Sequence, residues 1–487
     1  MMAKEENVKT NFLFNVCYQI FILILPLITA PYISRVLGAN SVGIYSYTQA
    51  FANYFVLFAM LGVNNYGNRE IARTRDNKND LSRIFWEIYI TQAVLTLVLS
   101  IGYVIYVVGF VADNKAIYLI QALYVLSAGV DINWFCYGLE KFKVTVTRST
   151  VIRICTAIAI FAFVKNQNDL WKYTLIMTAG TLIGQLVVWP FVIHRVAVVR
   201  PTLKGIIRHI KGNCILFVPV LAVSLYNVMD KLMLGSMSTT IEVGLYSYAE
   251  KIVQIPIAII AALGTVLMPK ISNLVVAGDE QRSKDLMDKS MLVAMFSSVA
   301  FAFGLAAISD PFTIWFYGQD FARCGGFIFL LSPIIIFKSW SAIIRTQYII
   351  PKQKDGIFIL SVSTGAVVNL VLNALLIPRL EGTGAIIGTF FAELSVCLVQ
   401  FIRVRKEINF IGYLKDGISF CIIGLVMFVS IYWMKNLNLS NFVIVMFQAI
   451  IGAIIYLLLS AIYMLKIKKD AFIINSVLGM LKIKHKV

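Results

Sequence analysis

Charged residues are scarce in this chain of 487 residues, where Asp, Glu, Lys and Arg together make up 14%. Soluble domains usually contain about 25%. Apolar residues make up 59%, and the mean hydropathy is +0.81. A chain of this composition cannot hide its apolar surface from water, so its solvent must largely be lipid. The composition excludes an ordinary soluble domain.

Catalytic and metal-binding signatures are also missing. The three histidines, His194, His209 and His485, share no metal-ligand spacing. The seven cysteines form no Cys-x-x-Cys pair, and most lie in apolar segments, where a thiol behaves as a small hydrophobe. There is no P-loop, no His-Glu-x-x-His and no Asp-x-Asp carboxylate pair. We therefore predict no cofactor, no metal and no enzymatic activity.

What the chain does contain is a succession of long apolar runs bounded by charged or turn residues. They predict about 14 transmembrane helices. These are residues 12–34, 43–65, 85–111, 116–137, 149–165, 171–195, 213–236, 245–269, 290–317, 325–349, 357–378, 382–403, 412–434 and 441–466. No soluble domain or Pro-rich linker interrupts them. The predicted fold class is an all-α polytopic membrane protein.

The net charge of +18 follows the membrane topology. Lys and Arg concentrate in alternate loops, chiefly residues 66–84 and 194–212, and in the C-terminal tail. By the positive-inside rule, these loops and both termini lie in the cytoplasm. The opposite loops are only a few residues long. The charge therefore reflects orientation in the membrane and predicts no nucleic-acid partner.

One block of sequence occurs twice, about 200 residues apart. Residues Val42–Tyr47 read VGIYSY, and residues Val243–Tyr248 read VGLYSY. Six predicted spans separate the copies, so both halves enter the membrane in the same sense, as parallel repeats. We predict an N-lobe over 1–205, a C-lobe over 206–406, and two appended helices with a basic tail over 407–487. Two such six-helix lobes around a central cavity are typical of an alternating-access transporter.

Polar side chains at helical spacing within the spans mark faces that do not meet lipid. The candidates for lining a cavity are Asn15, Gln19, Gln49, Asn53, Asn227, Gln254 and Ser341. Gln49 and Asn53 have Glu250 and Gln254 as their repeat counterparts, at the same spacing. The alternative is that these side chains only form hydrogen bonds between helices.

Ionisable side chains within spans cost about 2.5–3.5 kcal/mol each on insertion scales, so they should face a cavity or a partner. The cationic candidates for binding a pyrophosphate are Arg148, Arg153, Lys251, Lys338 and Arg345. The acidic candidates for ion coupling are Asp230, Glu250 and Glu393. The alternatives are cations near span ends that snorkel to water, an interfacial pair of Asp230 with Lys231, and cations that serve as counterions to Glu250 or Glu393.

Several segments of the chain have a recognisable sequence. They are Pro31–Gly38 with Gly43–Tyr45, Gly62–Ala72 (GVNNYGNREIA), Trp134–Phe135 with Gly138–Phe142, Asp230–Gly235 and Tyr248–Ile252. Together they resemble bacterial polysaccharide flippases of the Wzx (RfbX) type. The resemblance covers nearly all of the first twelve helices, and Gly62–Ala72 is its most specific piece. It implies membership of the multidrug/oligosaccharidyl-lipid/polysaccharide exporter (MOP) superfamily, which includes multidrug exporters and the lipid II flippase MurJ.

The resemblance further implies a flippase in the bacterial cytoplasmic membrane that moves undecaprenyl-pyrophosphate-linked oligosaccharides for O-antigen, capsule or exopolysaccharide assembly. Its implied partners are that substrate and membrane lipid, with a polysaccharide polymerase and other assembly proteins as further candidates.

The lipid II flippase has a cavity-facing arginine in its first helix, whereas this chain has Asn15, Cys17 and Gln19 there. That phosphate-binding set is therefore not carried over. The alternative functions are a lipid II flippase or a drug/cation antiporter of the same superfamily. A membrane polysaccharide polymerase or ligase is disfavoured, because such enzymes generally carry a sizeable outer loop.

Overall fold

A computed structural model describes the backbone of residues 2–468, and the side chains of residues 25–468 except 218, 219, 222 and 225–227. Within these ranges the chain is helical and contains no strand. Its α-helices are α1 (Met2–Met60), α2 (Val63–Thr74), α3 (Lys78–Phe110), α4 (Lys115–Ser127), α5 (Asn133–Gly138), α6 (Phe142–Phe163), α7 (Leu170–Leu186), α8 (Trp189–Ile193), α9 (Leu203–Met237), α10 (Thr240–Val276), α11 (Glu280–Tyr317), α12 (Cys324–Leu331), α13 (Ile334–Ile344), α14 (Asp355–Val404), α15 (Phe410–Tyr432) and α16 (Asn441–Ile462).

Helical segments lie at every predicted span. Among the described residues, 9 helices are long and apolar enough to cross a membrane, or 10 when the bent pair α12–α13 is one span. Two helices contain a break between two predicted spans: α1 at Gly38, with φ 73°, and α14 at Glu381, with φ 50°. The prediction of an all-helical polytopic membrane fold is confirmed.

Several helices begin a turn or more before the predicted span. α3 begins at Lys78 instead of residue 85, because the Asn77 side chain accepts hydrogen bonds from the backbone N–H groups of Asn79 (3.0 Å) and Asp80 (3.3 Å). Such a cap satisfies the first donors of the helix outside the apolar segment. Hydropathy marks the part of a helix that suits lipid, whereas capping determines where the helix starts.

The Gly62–Ala72 segment forms a tight turn and the short helix α2. Gly62 has φ 75°, and a Cβ atom there would lie 2.9 Å from the backbone oxygen of Asn213 in α9. A Cβ atom on Gly67 would lie 2.6 Å from the Trp134 ring of α5. Glycine is therefore required by the left-handed turn at one position and by close helix packing at the other.

The chain divides into two compact units, Met1–Gly235 and Ser236–Val487. Nearly all of α9 belongs to the first unit, and α10–α16 belong to the second. The lobe boundaries derived from the repeat, 1–205, 206–406 and 407–487, stay a prediction.

In both copies of the repeated block, one tyrosine contacts another helix of its own unit. The Tyr45 ring packs against Tyr173 of α7, with ring centroids 4.7 Å apart. The Tyr246 hydroxyl lies 3.1 Å from Oγ1 of Thr389 in α14. In both cases the tyrosine at the fourth position of the block meets the sixth predicted span of its half. The contacts differ in kind, ring packing in one copy and a hydroxyl-to-hydroxyl contact in the other, and the internal repeat stays a prediction.

The two appended helices pack mainly against α11 of the second unit. The Gln448 side-chain amide in α16 donates to the backbone oxygens of Ala307 (3.3 Å) and Ile431 (3.0 Å). The Tyr456 hydroxyl donates to the backbone oxygen of Phe296 (2.7 Å). Because these acceptors lie on helices α11 and α15, α16 is fixed to the second unit by buried polar contacts as well as by apolar packing.

Candidate functional site

The first unit contains a cavity of about 300 Å³ between α1, α6 and α7. Its polar lining consists of Thr29, Arg148, Ser149, Arg153, Thr156, Thr181 and Gln185. No acidic side chain is among the described residues that line it. Two guanidinium groups surrounded by hydroxyl and amide groups are suited to bind an anion, and guanidinium binds phosphate oxygens in a bidentate manner. The structure therefore brings two of the predicted pyrophosphate ligands, Arg148 and Arg153, to one cavity.

Helix α6 supplies the cationic wall. Its lining residues Ser149, Arg153, Thr156 and Ile160 recur every three or four positions, which places them on one helical face. Arg148 is half-buried and Arg153 is exposed. The cavity is therefore cationic along one wall and open at Arg153.

The Arg148 guanidinium is held by several acceptors. Nη1 donates to the backbone oxygen of Gly184 (2.6 Å) and to Oε1 of Gln185 (2.8 Å). Nη2 donates to Oδ1 of Asn133 and to Oγ of Ser149, each at 3.0 Å. All four acceptors are uncharged, so these contacts orient the guanidinium without neutralising it.

Behind Arg148 lies a polar group that the sequence analysis missed. Oδ1 of Asp131 accepts hydrogen bonds from the backbone N–H (3.0 Å) and the side-chain amide (2.7 Å) of Asn133. The same amide donates to Oε1 of Gln185 at 3.0 Å. The signal in the sequence is an Asp and an Asn two residues apart inside the fourth predicted span, 116–137. The pattern resembles an ordinary turn, and only the fold shows that it lies beside Arg148.

In the second unit, Lys338 of α13 pairs with Glu393 of α14, with Nζ 2.9 Å from Oε1. The Glu393 side chain is 3% exposed and that of Lys338 is 26% exposed. A cation predicted to bind pyrophosphate and a carboxylate predicted to couple an ion are therefore direct partners. Lys338 is thus a counterion to Glu393, as in one of the alternatives given for these cations.

Arg345 lies beyond Lys338 on the same helical segment. Its guanidinium carbon is 5.5 Å from the centroid of the Phe358 ring, and Glu393 acts on it electrostatically. Arg345 opens a π-helical turn, Arg345–Ile349. Such turns interrupt regular helices and are frequent at functional sites.

Two of the other predicted site residues in the second unit, Ser341 and Lys251, have local contacts. The Ser341 hydroxyl donates to the backbone oxygen of Lys338 (3.1 Å), within its own helix. The Lys251 ammonium lies 4.2 Å from the centroid of the Tyr248 ring. Glu250 and Gln254, on α10, are half-buried. Whether these residues bind the substrate, line a cavity or couple an ion stays a prediction.

In the first unit, Oδ1 of Asn53 accepts a hydrogen bond from the Tyr124 hydroxyl at 3.0 Å, and Gln49 is half-buried. Asp230 is 5% exposed and acts electrostatically on Tyr54. The side chains of Asn15, Gln19 and Asn227 lie outside the described residues. The ion-coupling role of Asp230 and the cavity-lining role of the others stay predictions.

A separate network of buried polar side chains lies near the N-terminal end of α9, before the apolar part of that helix. His209 lies between the Tyr66 hydroxyl, 2.8 Å from Nδ1, and Oε2 of Glu87, 3.2 Å from Nε2. Oε1 of Glu87 accepts from the Thr202 hydroxyl at 2.7 Å. Burial, reinforced by the neighbouring Arg208, lowers the pKa of His209 below its ordinary value of 6.5. The network joins the start of α9 to α2 and α3.

Comparisons with known proteins agree with this picture. Residues 8–275 match the family described as polysaccharide biosynthesis protein. A protein of Escherichia coli (strain K12) named "Putative O-antigen transporter" is 22% identical over 84% of this chain and 99% of its own length. A protein of the same name from Shigella dysenteriae is 25% identical over 78% of this chain and 96% of its own. The solved structure of the lipid II flippase MurJ in an inward closed conformation has a TM-score of 0.79 and 15% identity, and the match covers 93% of this chain and 99% of that one.

An all-helical chain whose apolar spans enclose a cationic pocket belongs to the class of polytopic membrane transporters. Within the described residues, no group of three or more His, Cys, Asp and Glu side chains is placed to hold a metal. The family match covers more than half of the chain. The chain belongs to the polysaccharide biosynthesis protein family, as a Wzx-type polysaccharide flippase of the MOP superfamily, and it is a transporter, not an enzyme.

Proposed function

We propose that this protein moves an undecaprenyl-pyrophosphate-linked oligosaccharide across the bacterial cytoplasmic membrane by alternating access. The product would enter O-antigen, capsule or exopolysaccharide assembly. The observation that carries the proposal is the cavity that contains Arg148 and Arg153 without a described acidic residue in its lining. A pyrophosphate is the strongly anionic part of such a substrate, and guanidinium groups are its natural ligands.

The size of the cavity supports a division of roles along the substrate. Its volume of about 300 Å³ is at the lower end of the usual range for ligand pockets, about 300–1,000 Å³. It suits an anionic head group and is too small for an oligosaccharide as well. We assign it to the pyrophosphate and leave the polyprenyl tail in lipid.

Lys338 and Arg345 form the second cationic set of the proposal, and Glu393 is its coupling carboxylate. If Lys338 turns from Glu393 toward an anionic substrate, a nearly buried carboxylate loses its partner, which is costly in a low-dielectric environment. A coupling cation or a proton would then balance Glu393. This exchange links substrate binding to an ion gradient.

The membrane orientation in the proposal follows the charge pattern. Both termini and the basic loops lie in the cytoplasm, and a polysaccharide polymerase and other assembly proteins receive the product. Lys251 is a further candidate ligand, and Asp230 and Glu250 are further coupling candidates.

Deletion of the gene, followed by extraction of lipid-linked intermediates, tests the proposal. We expect an undecaprenyl-pyrophosphate oligosaccharide to accumulate inside the cell, with loss of surface polysaccharide that the wild-type gene restores. Accumulation of lipid II, or altered drug resistance with normal polysaccharide, would instead favour the alternative transporters. A chain-length defect with normal export would favour a polymerase or ligase. Normal surface polysaccharide without any intermediate would contradict the proposal.

A further inference from the structure

Asn133 connects a carboxylate to the cationic wall of the cavity. Its amide nitrogen donates to Asp131 (2.7 Å) and its amide oxygen accepts from Nη2 of Arg148 (3.0 Å). An ionised carboxylate only accepts hydrogen bonds and a guanidinium only donates them. The amide therefore has one orientation that satisfies both neighbours. Asp131, together with Oε1 of Gln185, which accepts from the same amide nitrogen at 3.0 Å, fixes which end of Asn133 faces Arg148.

Asp131 is itself held by the backbone. It precedes α5, and its Oδ1 accepts from the backbone N–H of Asn133 at 3.0 Å. Aspartate commonly forms this local contact at turns and helix starts. The contact leaves the carboxylate little freedom, so the chain from Asp131 through Asn133 to Arg148 is rigid at its first member.

The negative charge of Asp131 also attracts the Arg148 guanidinium through space. Asp131 therefore reduces the positive field that Arg148 and Arg153 present to an anion in the cavity. The protein keeps Asp131 out of direct contact with Arg148 by inserting Asn133. A direct carboxylate contact would neutralise the guanidinium more strongly, since Coulomb energy falls with distance.

We infer that Asp131, acting through Asn133, is a positioning residue that orients Arg148 and limits the affinity of the cavity for anions. A moderate affinity lets a transported anion leave as well as enter. The inference rests on the proposed function, because it concerns the cavity to which we assign the pyrophosphate.

Binding of inorganic pyrophosphate to the full-length purified protein tests this, with calorimetry as the readout and thermal unfolding as a check of folding. Asp131→Asn keeps an oxygen acceptor for Asn133 and removes the charge. We expect the dissociation constant to fall by about three- to tenfold, because an opposing charge has been removed. Tighter binding cannot arise from damage to the fold.

Asn133→Asp, made together with Asp131→Asn so that two carboxylates do not lie 2.7 Å apart, places a carboxylate directly against Arg148. Relative to Asp131→Asn alone, we expect the dissociation constant to rise by more than about tenfold. Asp80→Asn is the matched control, since Asp80 is an exposed acidic residue that pairs with Arg83. It should leave binding unchanged. If this double variant does not fold, the direction in which Asp131→Asn alone changes the dissociation constant decides whether the inference holds.

Failure of this inference is distinguishable from failure of the proposed function. Wild-type binding with unchanged or weaker binding in Asp131→Asn would overturn the inference, because Asp131 would then only stabilise the local turn before α5. The assignment of pyrophosphate to the cavity would remain. No binding of pyrophosphate by the wild type would overturn both.

Discussion

Lys338 and Glu393, on α13 and α14, form an ion pair with 2.9 Å between Nζ and Oε1. The carboxylate is almost fully buried, whereas the ammonium is about a quarter exposed. Each member therefore determines the electrostatic environment of the other. A substitution at either position changes two groups at once, so single variants must be interpreted together with the paired variant.

We predict that Lys338→Met lowers thermal stability, because it leaves the Glu393 carboxylate buried without this partner. Breaking a fully buried pair costs about 3–5 kcal/mol, and the exposure of Lys338 reduces the expected cost to about 1–3 kcal/mol. The exchange Lys338→Glu with Glu393→Lys should recover at least half of the loss. Thermal unfolding in detergent provides the measurement.

Lys289→Met is the matched control for the pair. Lys289 forms an exposed i, i+4 contact with Asp285 at 2.8 Å, and such surface pairs contribute about 0.3–0.5 kcal/mol. Equal, small effects of Lys338→Met and Lys289→Met would show that the Lys338–Glu393 contact contributes nothing to stability.

The pKa of His209 makes a pH-dependent prediction. Burial lowers this pKa below the ordinary value of 6.5, so the folded protein binds the proton less well than the unfolded chain. Stability is therefore complete above about pH 6.5 and is lost as the pH falls from there toward the folded pKa. His209→Gln should flatten this part of the stability profile. The inference about His209 is wrong if the two profiles keep the same slope between pH 5 and about 6.5.

The break in α14 predicts a stabilising substitution. Glu381 has φ 50° and ψ −128°, a region that side chains other than glycine rarely adopt. Glu381→Gly should stabilise the protein by about 1 kcal/mol, since it relieves backbone strain. Leu380→Gly, one residue earlier in regular helix, should instead destabilise by about 0.5–1 kcal/mol. Stability changes of opposite sign in thermal unfolding would support backbone strain at Glu381. A loss of stability in both variants would contradict it.

The fold was predictable from the sequence because lipid imposes one rule on every span. Each backbone polar group must be bonded within its own helix, so an apolar run such as residues 290–317 specifies both a helix and its environment. Boundaries were less predictable. The start of α3 depends on the Asn77 cap, and hydropathy does not record capping.

The candidate site was only partly predictable. Arg148 and Arg153 stand out because charge is rare in the spans, and Lys338 and Glu393 stand out for the same reason. Their partners are a tertiary property. Lys338 meets Glu393 across two helices, and Asp131 reaches Arg148 through Asn133, and neither contact follows from helical spacing along one segment.

The substitutions Arg148→Gln and Arg153→Gln, combined in one protein, test the central claim. The measurement is transport of an undecaprenyl-pyrophosphate-linked sugar in proteoliposomes, with Arg83→Gln as the control because Arg83 pairs with Asp80 on the surface. Each hydrogen bond to a charged group contributes about 1.5–3 kcal/mol, so we predict a transport rate at least about tenfold lower in the double variant and unchanged in the control. Transport at the wild-type rate by the double variant would contradict the account.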